Sequence, residues 1–468
     1  MAKFDVVVVG AGPGGYVAAI KAAQNGKRVG LIEKEALGGV CLNWGCIPTK
    51  ALIKSAEVYE SIAEAQHYGI SVGKVDADFS AIIKRSRSVA DGMSKGIDYL
   101  MRKNGINVIL GSARFVSNTH LEVHKEDGST EFLSGDAIIL ATGARARNFP
   151  NLPIDDDRVF NYRRAMHLDK QPKSLLCIGA GAIGMEFAYF YNTIGTEVHV
   201  VEMVDQVLPL EDPEIAAVVD KSFRRAGVHI HTGTVVDRLE VQKSQVKAHL
   251  RAAGSQDEDA GEVIAVERVL VAVGMVPNTD GLGLEDAGIA TDQRGFVTID
   301  AFCRTSAPGV YAIGDVAGGK LLAHKASYEG EIAVAHICGE HHKADYTQVP
   351  ACTYCSPQVA SVGLSEQAAK DAGHQVVIGR FNFQASGKAK AIGDYDGFVK
   401  LVFDREHMQL LGAHIVGPES TELLSELSVA LRLESTAEEL ATTIHAHPTL
   451  SEAVMEAAAD ALGRCVHQ

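Results

Sequence analysis

Two glycine-rich turns govern what this chain can fold into. Gly10-Ala11-Gly12-Pro13-Gly14-Gly15 follows four consecutive valines, and Gly179-Ala180-Gly181-Ala182-Ile183-Gly184 follows the apolar run at 174–178. After each turn comes a helix-forming stretch, through about Gln24 and about Thr193, and then a second strand pattern at 28–33 and 197–202. Glu33 follows Gly10, and Glu202 follows Gly179, by the same twenty-three positions. A dinucleotide fold needs this spacing: the glycines let the backbone approach a pyrophosphate, the helix N-terminus supplies partial positive charge, and the acid bonds a ribose hydroxyl. One such turn is weak evidence; two in register predict two nucleotide-binding βαβ units.

Strand patterns at 136–143 and 268–274, each ending in Gly, carry the chain between these units, so the second domain interrupts the first. The expected fold class is α/β: two Rossmann-like dinucleotide-binding domains, the first interrupted by the second, and an α+β C-terminal domain. Its divisions are 1–145, 146–274, 275–345 and 346–468. Residues 252–261 are polar and read as a hairpin tip. Beyond Tyr346, strand patterns at 359–363, 397–403 and 412–416 precede helical ones at 421–433 and 449–461.

A formal net charge of −15 argues against nucleic acid or an anionic membrane as partner. No apolar stretch approaches the ~18–20 residues of a spanning helix. A strand pattern beginning at Phe4 leaves no room for a leader, so the reading is cytoplasmic. In that reducing setting, a close pair among the eight cysteines is catalytic or metal-binding rather than structural.

Cys41 and Cys46 form that pair. Four residues separate them, so a short loop brings both sulfurs to bonding distance. Cys46 precedes Pro48, which suits the first turn of a helix, and both a helix N-terminus and Lys50 favour thiolate. A thiolate there can donate charge to an electron-poor flavin ring. Glu202 is followed by Met203-Val204-Asp205-Gln206, with no Arg to receive a 2′-phosphate, which favours NAD over NADP.

The segment 38–50, Gly-Gly-Val-Cys-Leu-Asn-Trp-Gly-Cys-Ile-Pro-Thr-Lys, together with the two turns, resembles the FAD-dependent pyridine nucleotide–disulfide oxidoreductases. Gly314-Asp315 with Leu322-Ala323-His324-Lys325-Ala326 is similar to that family's second flavin motif. His445-Ala446-His447-Pro448-Thr449-Leu450-Ser451-Glu452 resembles the members that oxidise dihydrolipoamide. The resemblance covers essentially the whole chain. It implies tightly bound FAD at Gly10, Gly12, Gly15, Glu33, Thr142, Gly143, Asp315 and Ala323, and exchangeable NAD at Gly179, Gly181, Gly184, Glu202 and Gly274. Cys46 is then the thiol nearest the flavin and Cys41 the one that meets substrate. Lys50 lies near the flavin and pairs with Glu186. His447, oriented by Glu452, is the acid–base group and serves the other subunit. The C-terminal domain is then a dimerisation domain, and the partners are a second copy and the lipoyl domains and E2 core of a 2-oxo acid dehydrogenase complex. No metal site is implied.

Other readings stay open at this stage. Thr449-x-x-Glu452 also matches a capping box, and His445 is a rival base. Cys352-Thr-Tyr-Cys355 has metal-ligand spacing, but Thr353-Tyr354-Cys355 reads as strand. Arg145 and Arg147 read as solvated surface, and Trp44, between the thiols, as a shield for the redox centre. The alternative functions are an NADPH-dependent reductase of glutathione or a similar small disulfide, and a non-enzymatic flavin redox sensor.

Overall fold

The computed structural model describes residues 2–255 and 261–467. The chain divides into two compact units. One comprises the residues up to Leu52, Ser80–Arg147 and Gly274–Asp345; the other comprises Ile53–Phe79, Asn148–Val273 and the chain from Tyr346.

The first unit is built on a seven-stranded sheet. Its parallel part runs Asn107–Leu110, Val29–Glu33, Ala2–Val9, Thr130–Leu140, with Val310–Ala312 also parallel to the last of these. An antiparallel extension, His120–His124 and Ser112–Ser117, continues from Thr130–Leu140. Because both faces are covered, the first strand needs no polar alternation. Val6 and Val8 pack on one face with Ala18, Ala19, Ala22 and Met101, while Val7 and Val9 pack on the other with Phe115, Leu121 and Val123. The small residues of helix Pro13–Gln24 let helix Ala323–Ile337 approach closely: a Cβ at Gly14 would lie 2.8 Å from the Ala326 oxygen, and one at Gly330 2.9 Å from the Gly14 oxygen. Overpacking this crossing costs about 1–3 kcal/mol.

The second unit holds a parallel five-stranded sheet ordered His229–His231, Glu197–Val201, Ser174–Ile178, Arg268–Val271, Val159–Phe160. A three-stranded meander, Thr234–Val241, Val246–Ala252 and Val263–Val266, packs on it through Val236, Val246, Ala248 and Ile264. The expected hairpin tip joins the last two strands, and residues 256–260 of it lie outside the described residues. From Ala351 onward, an antiparallel five-stranded sheet is covered by helices Ser420–Arg432 and Glu452–Ala461 around Phe381, Phe403, Leu424, Leu427 and Val454. Lys400 is buried in this sheet, and its ammonium bonds Asp212, Glu214 and Glu366 at 2.9, 2.6 and 2.9 Å. Lys400 and Asp212 are buried while Glu214 and Glu366 are partly exposed, and the three carboxylates satisfy an ammonium whose burial alone would be strongly unfavourable.

Three expectations need correction. Only Thr353 of the 353–355 run is strand, because the pairing with Gln358–Gly363 ends at Thr353↔Val359. The last helix begins at Glu452, not Thr449. Arg145 is not merely solvated, as described below. Among the described residues, no helix is long and apolar enough to cross a membrane.

Candidate active site

The two glycine turns share one local geometry. Gly10 and Gly179 have φ +104° and +100°, in the region glycine tolerates best. A Cβ at Gly15 would fall 1.9 Å from the Gly10 oxygen, and one at Gly184 1.9 Å from the Gly179 oxygen, so the third glycine lets the helix start against the strand end. A Cβ at Gly12 or Gly181 would instead meet no protein atom within 4 Å. These middle glycines N-cap helices Pro13–Gln24 and Ala182–Thr193 without a side-chain cap, leaving first-turn amides for an anion. Glu33 accepts the Ala11 and Glu35 amides, both at 2.8 Å, and Glu202 accepts those of Ala180 and Val204 at 2.8 and 3.2 Å. Each carboxylate is thus held beside its turn. The residues present fit a dinucleotide at both places: an open amide cradle for pyrophosphate and a fixed carboxylate for a ribose.

The dithiol segment is attached to the first turn. Gly38 N–H donates to the Ala11 oxygen at 2.8 Å, and a Cβ on Gly39 would lie 2.7 Å from the Gly12 Cα. Gly38 and Gly39 have φ +93° and +58°, which turns the chain into helix Gly39–Trp44 carrying Cys41. After Gly45, helix Cys46–Ala63 begins at the second cysteine. The sulfurs lie 2.6 Å apart, with Cys41 half-buried and Cys46 exposed. Cys41 holds its proton well above the ordinary thiol range, because it donates to Cys46 and because burial opposes its charge; Lys50 acts in the opposite direction. Cys46 stands at a helix N-terminus, whose partial positive charge favours a thiolate.

Several residues without a local sequence signal hold this segment. Helix Phe79–Lys103 sends Ser86 Oγ to the Pro48 oxygen, Ser94 Oγ to the Leu37 oxygen, Arg85 to the Ala51 oxygen and Arg87 to the Asn43 oxygen. Asn43 itself donates to the Leu37 and Gly39 oxygens. The redox segment's carbonyls are thus satisfied from about forty residues away.

Asp315 lies in the turn Gly314–Ala317, and Ala323 begins the following helix. Burial raises the Asp315 carboxyl above its usual range, against the pull of Lys325. Lys325 and Glu329 form a fully buried ion pair. Lys325 Nζ donates to the Gly314 and Gly318 oxygens at 3.1 and 2.8 Å, while Glu329 accepts the Gly314 N–H at 2.6 Å. The pair therefore clamps both ends of the turn that presents Asp315.

Thr142 and Gly143 are zipped to Asn278: the Thr142 hydroxyl donates to its oxygen, its side-chain amide to the Thr142 oxygen, and its N–H to the Gly143 oxygen. Beyond them Ala144–Ala146 pairs antiparallel with Met275–Pro277, and Arg147 N–H reaches the Gly274 oxygen. Arg145 donates to the Pro277 oxygen and pairs with Asp280. It staples the strands that leave and re-enter the first unit, which is its correction from plain surface.

In the second unit Glu186 is buried and accepts the Tyr354 N–H at 3.0 Å. His447 and Glu452 meet at 2.9 Å between Nδ1 and Oε1. The other carboxylate oxygen takes the Thr449 N–H at 2.8 Å, and the Thr449 hydroxyl turns away to the Ala446 oxygen. Half of the capping box forms, and the same carboxylate orients the imidazole. The Thr449 amide, then His447, hold Glu452 below the usual carboxylate range. His445 is placed differently. Its ring nitrogens meet Glu426 at 2.7 Å and the Thr443 oxygen at 2.9 Å, and its side chain is 6% exposed against 78% for His447. The rival has both nitrogens engaged, while His447 presents Nε2 outward. Cys355 is buried against the Pro357 oxygen, and among the described residues neither it nor Cys352 belongs to a three-ligand cluster.

The pyridine nucleotide-disulphide oxidoreductase family matches over residues 4–330, and that family's dimerisation domain over 349–458. Dihydrolipoyl dehydrogenase of Chlorobaculum tepidum is 47% identical over 98% of this chain and 97% of its own length. The enzyme of the same name from Zymomonas mobilis is 47% identical over 99% of each. The crystal structure of LpdA from Mycobacterium tuberculosis superposes with a TM-score of 0.90 at 30% identity, covering 98% of this chain and 99% of that one. With a dithiol seated on one dinucleotide turn and a second such turn in the chain, the protein belongs to the pyridine nucleotide-disulphide oxidoreductase family.

Proposed function

We propose that this protein is a homodimeric, FAD-containing dihydrolipoyl dehydrogenase that uses NAD. Its substrate is dihydrolipoamide carried by lipoyl domains at the E2 core of a 2-oxo acid dehydrogenase complex. The observation that carries the reading is the Cys41–Cys46 pair, 2.6 Å apart and bonded through Gly38 to the first dinucleotide turn. Near-full-length identity to relatives bearing that enzyme name supports it, and the matched dimerisation domain supports two subunits.

The chain's residues divide the work. A substrate thiol gives its proton to His447 of the second copy, and its sulfur attacks Cys41 of the Cys41–Cys46 disulfide. The Cys41–Cys46 bond breaks, and Cys46 keeps the electron pair as thiolate, favoured by its helix N-terminus and by Lys50. The second substrate thiol, giving up its proton to the departing Cys41 sulfur, then attacks the substrate sulfur of the mixed disulfide, which closes the lipoyl ring and releases Cys41 as thiol, while the first proton stays on His447. Glu452 keeps Nδ1 protonated so that Nε2 is the basic atom. FAD held beside the dithiol would supply a two-electron acceptor for it and a hydride donor for NAD. Gly10, Gly12, Gly15, Glu33, Asp315 and Ala323 would hold FAD. Gly179, Gly181, Gly184 and Glu202 would hold NAD, and Glu202 would disfavour a 2′-phosphate.

Steady-state turnover of free dihydrolipoamide with NAD, in the wild type and in Cys41→Ser, tests the reading. Turnover should be present and then lost, with NADH-to-dye transfer surviving in the variant. Lipoamide turnover that persists in Cys41→Ser, or is absent from the FAD-loaded wild type, would overturn it.

A further inference from the structure

The geometry points to a divalent transition-metal site on the outer edge of the second unit's parallel sheet, made by His199, His229 and Glu197. Nothing in the dithiol or dinucleotide chemistry uses these residues.

Strand register brings them together. His199 on Glu197–Val201 pairs directly with His229 on the edge strand His229–His231. The side chains of paired residues share a face, and so do residues two apart on one strand. Glu197, His199, His229 and His231 therefore occupy one face. The rings of His199 and His229 stack with centroids 4.6 Å apart at 21°, and His231 stacks on His199 at 6.0 Å. Glu197 Oε1 lies 3.5 Å from His199 Nε2. One ligand atom from each of Glu197, His199 and His229 falls within 4.8 Å of the others.

The polar groups at this edge are poorly satisfied by protein. His199 Nδ1 and His231 Nε2 are both buried, and among the described residues neither has a hydrogen-bond partner. Buried polar atoms normally have one, so two orphans in one stack call for an explanation. Burial lowers the pKa of His199, and the neighbouring His229 lowers it further; burial does the same at His231. Glu197 and His229 are exposed, so an ion has access and these two side chains can adjust.

The donor set selects the ion. Two imidazoles and one carboxylate suit Zn²⁺, Ni²⁺ or Cu²⁺, whereas Mg²⁺ and Ca²⁺ prefer oxygen. Metal–ligand bonds of about 2.0–2.2 Å place neighbouring donors about 3.3 Å apart in a tetrahedral shell. The three ligand atoms already lie within 4.8 Å of one another on two strands of fixed register. The ion would cross-link the edge strand to its neighbour, five residues before Glu202 on the same run of chain.

The test uses FAD-loaded protein without reductant, so that the Cys41–Cys46 dithiol is oxidised and does not compete for metal. Equilibrium dialysis against Zn²⁺ and paramagnetic resonance with Cu²⁺ are compared in wild type, His229→Ala and Glu197→Gln. One ion per chain is expected, with nitrogen couplings from two imidazoles in the copper spectrum. Zn²⁺ should raise the melting temperature and a chelator should reverse the rise. His229→Ala should weaken binding by roughly tenfold or more and Glu197→Gln by a smaller factor, with the metal-free melting temperature and flavin absorbance unchanged. Absence of stoichiometric uptake, uptake indifferent to both substitutions, or a copper spectrum without nitrogen coupling would each overturn the site.

Discussion

The carboxylate of Glu452 does two jobs at once, and Glu452→Gln separates them. Oε1 meets His447 Nδ1 at 2.9 Å and Oε2 takes the Thr449 N–H at 2.8 Å. Glutamine keeps the shape but has one acceptor and one donor end. With its oxygen on the Thr449 N–H, its NH₂ faces Nδ1 and forces the tautomer whose Nε2 already carries a proton. With its oxygen on Nδ1, two N–H groups collide at Thr449. Either way the charge is gone. A hydrogen bond to a charged group contributes about 1.5–3 kcal/mol against about 0.5–1.5 for a neutral one, so about 1 kcal/mol is lost from the protonated imidazole. The tautomer penalty adds to it, and kcat/KM for dihydrolipoamide should fall by about ten- to a hundredfold. Steady-state kinetics from pH 5.5 to 9, with NADH-to-dye transfer as the control that bypasses the base, provides the assay. His447→Gln should cost about two to four powers of ten in the same assay. If Glu452→Gln stays within twofold while His447→Gln is crippled, Glu452 does no more than begin its helix.

Glu202→Ala should raise KM for NAD by roughly tenfold or more and narrow discrimination against NADP, since a ribose hydroxyl loses its acceptor; unchanged selectivity in paired kinetics would refute its recognition role. Lys325→Met leaves the buried Glu329 charge alone, so FAD retention after gel filtration should drop along with a stability loss of about 3–5 kcal/mol; full flavin content would mean that the turn holds Asp315 unaided. Glu366 is depressed from its usual 4.5 to about 2, first by Lys370 and then by Lys400. A depressed carboxyl stabilises the fold above its unfolded value, and that contribution disappears as pH falls from about 4.5 towards 2. Glu366→Gln should therefore flatten this part of the melting-temperature profile, and an identical acid limb would remove the assignment.

The features legible in the sequence are those whose geometry is local. Gly10 and Gly179 need positive φ, Gly15 and Gly184 need the absence of a Cβ, and the following acids lie at a fixed reach, so composition and spacing carry the turns. The cysteines five apart, and His447 five before Glu452, are also neighbours along the chain. What stayed hidden depends on distant partners. Ser86, Arg87 and Ser94 look like ordinary polar positions of an amphipathic helix until Phe79–Lys103 is laid against the dithiol segment. Lys325 and Glu329 have the i,i+4 spacing of many surface pairs, yet both are fully buried. Lys400 gave no sign of its three carboxylates, two of them nearly two hundred residues away. Periodicity was similarly blind to the end of strand Ala351–Thr353, which is set by where its partner strand stops.

In the proposed mechanism Cys46 carries the negative charge of the reduced dithiol, beside a flavin held on the first glycine turn. Anaerobic titration of the FAD-loaded protein with dihydrolipoamide, followed by visible absorbance, tests it most directly. A long-wavelength band that is complete at two electrons per subunit, and missing from Cys46→Ser, is the expected result. Protein that takes up no FAD, or a flavin that bleaches without such a band in the wild type, would contradict it.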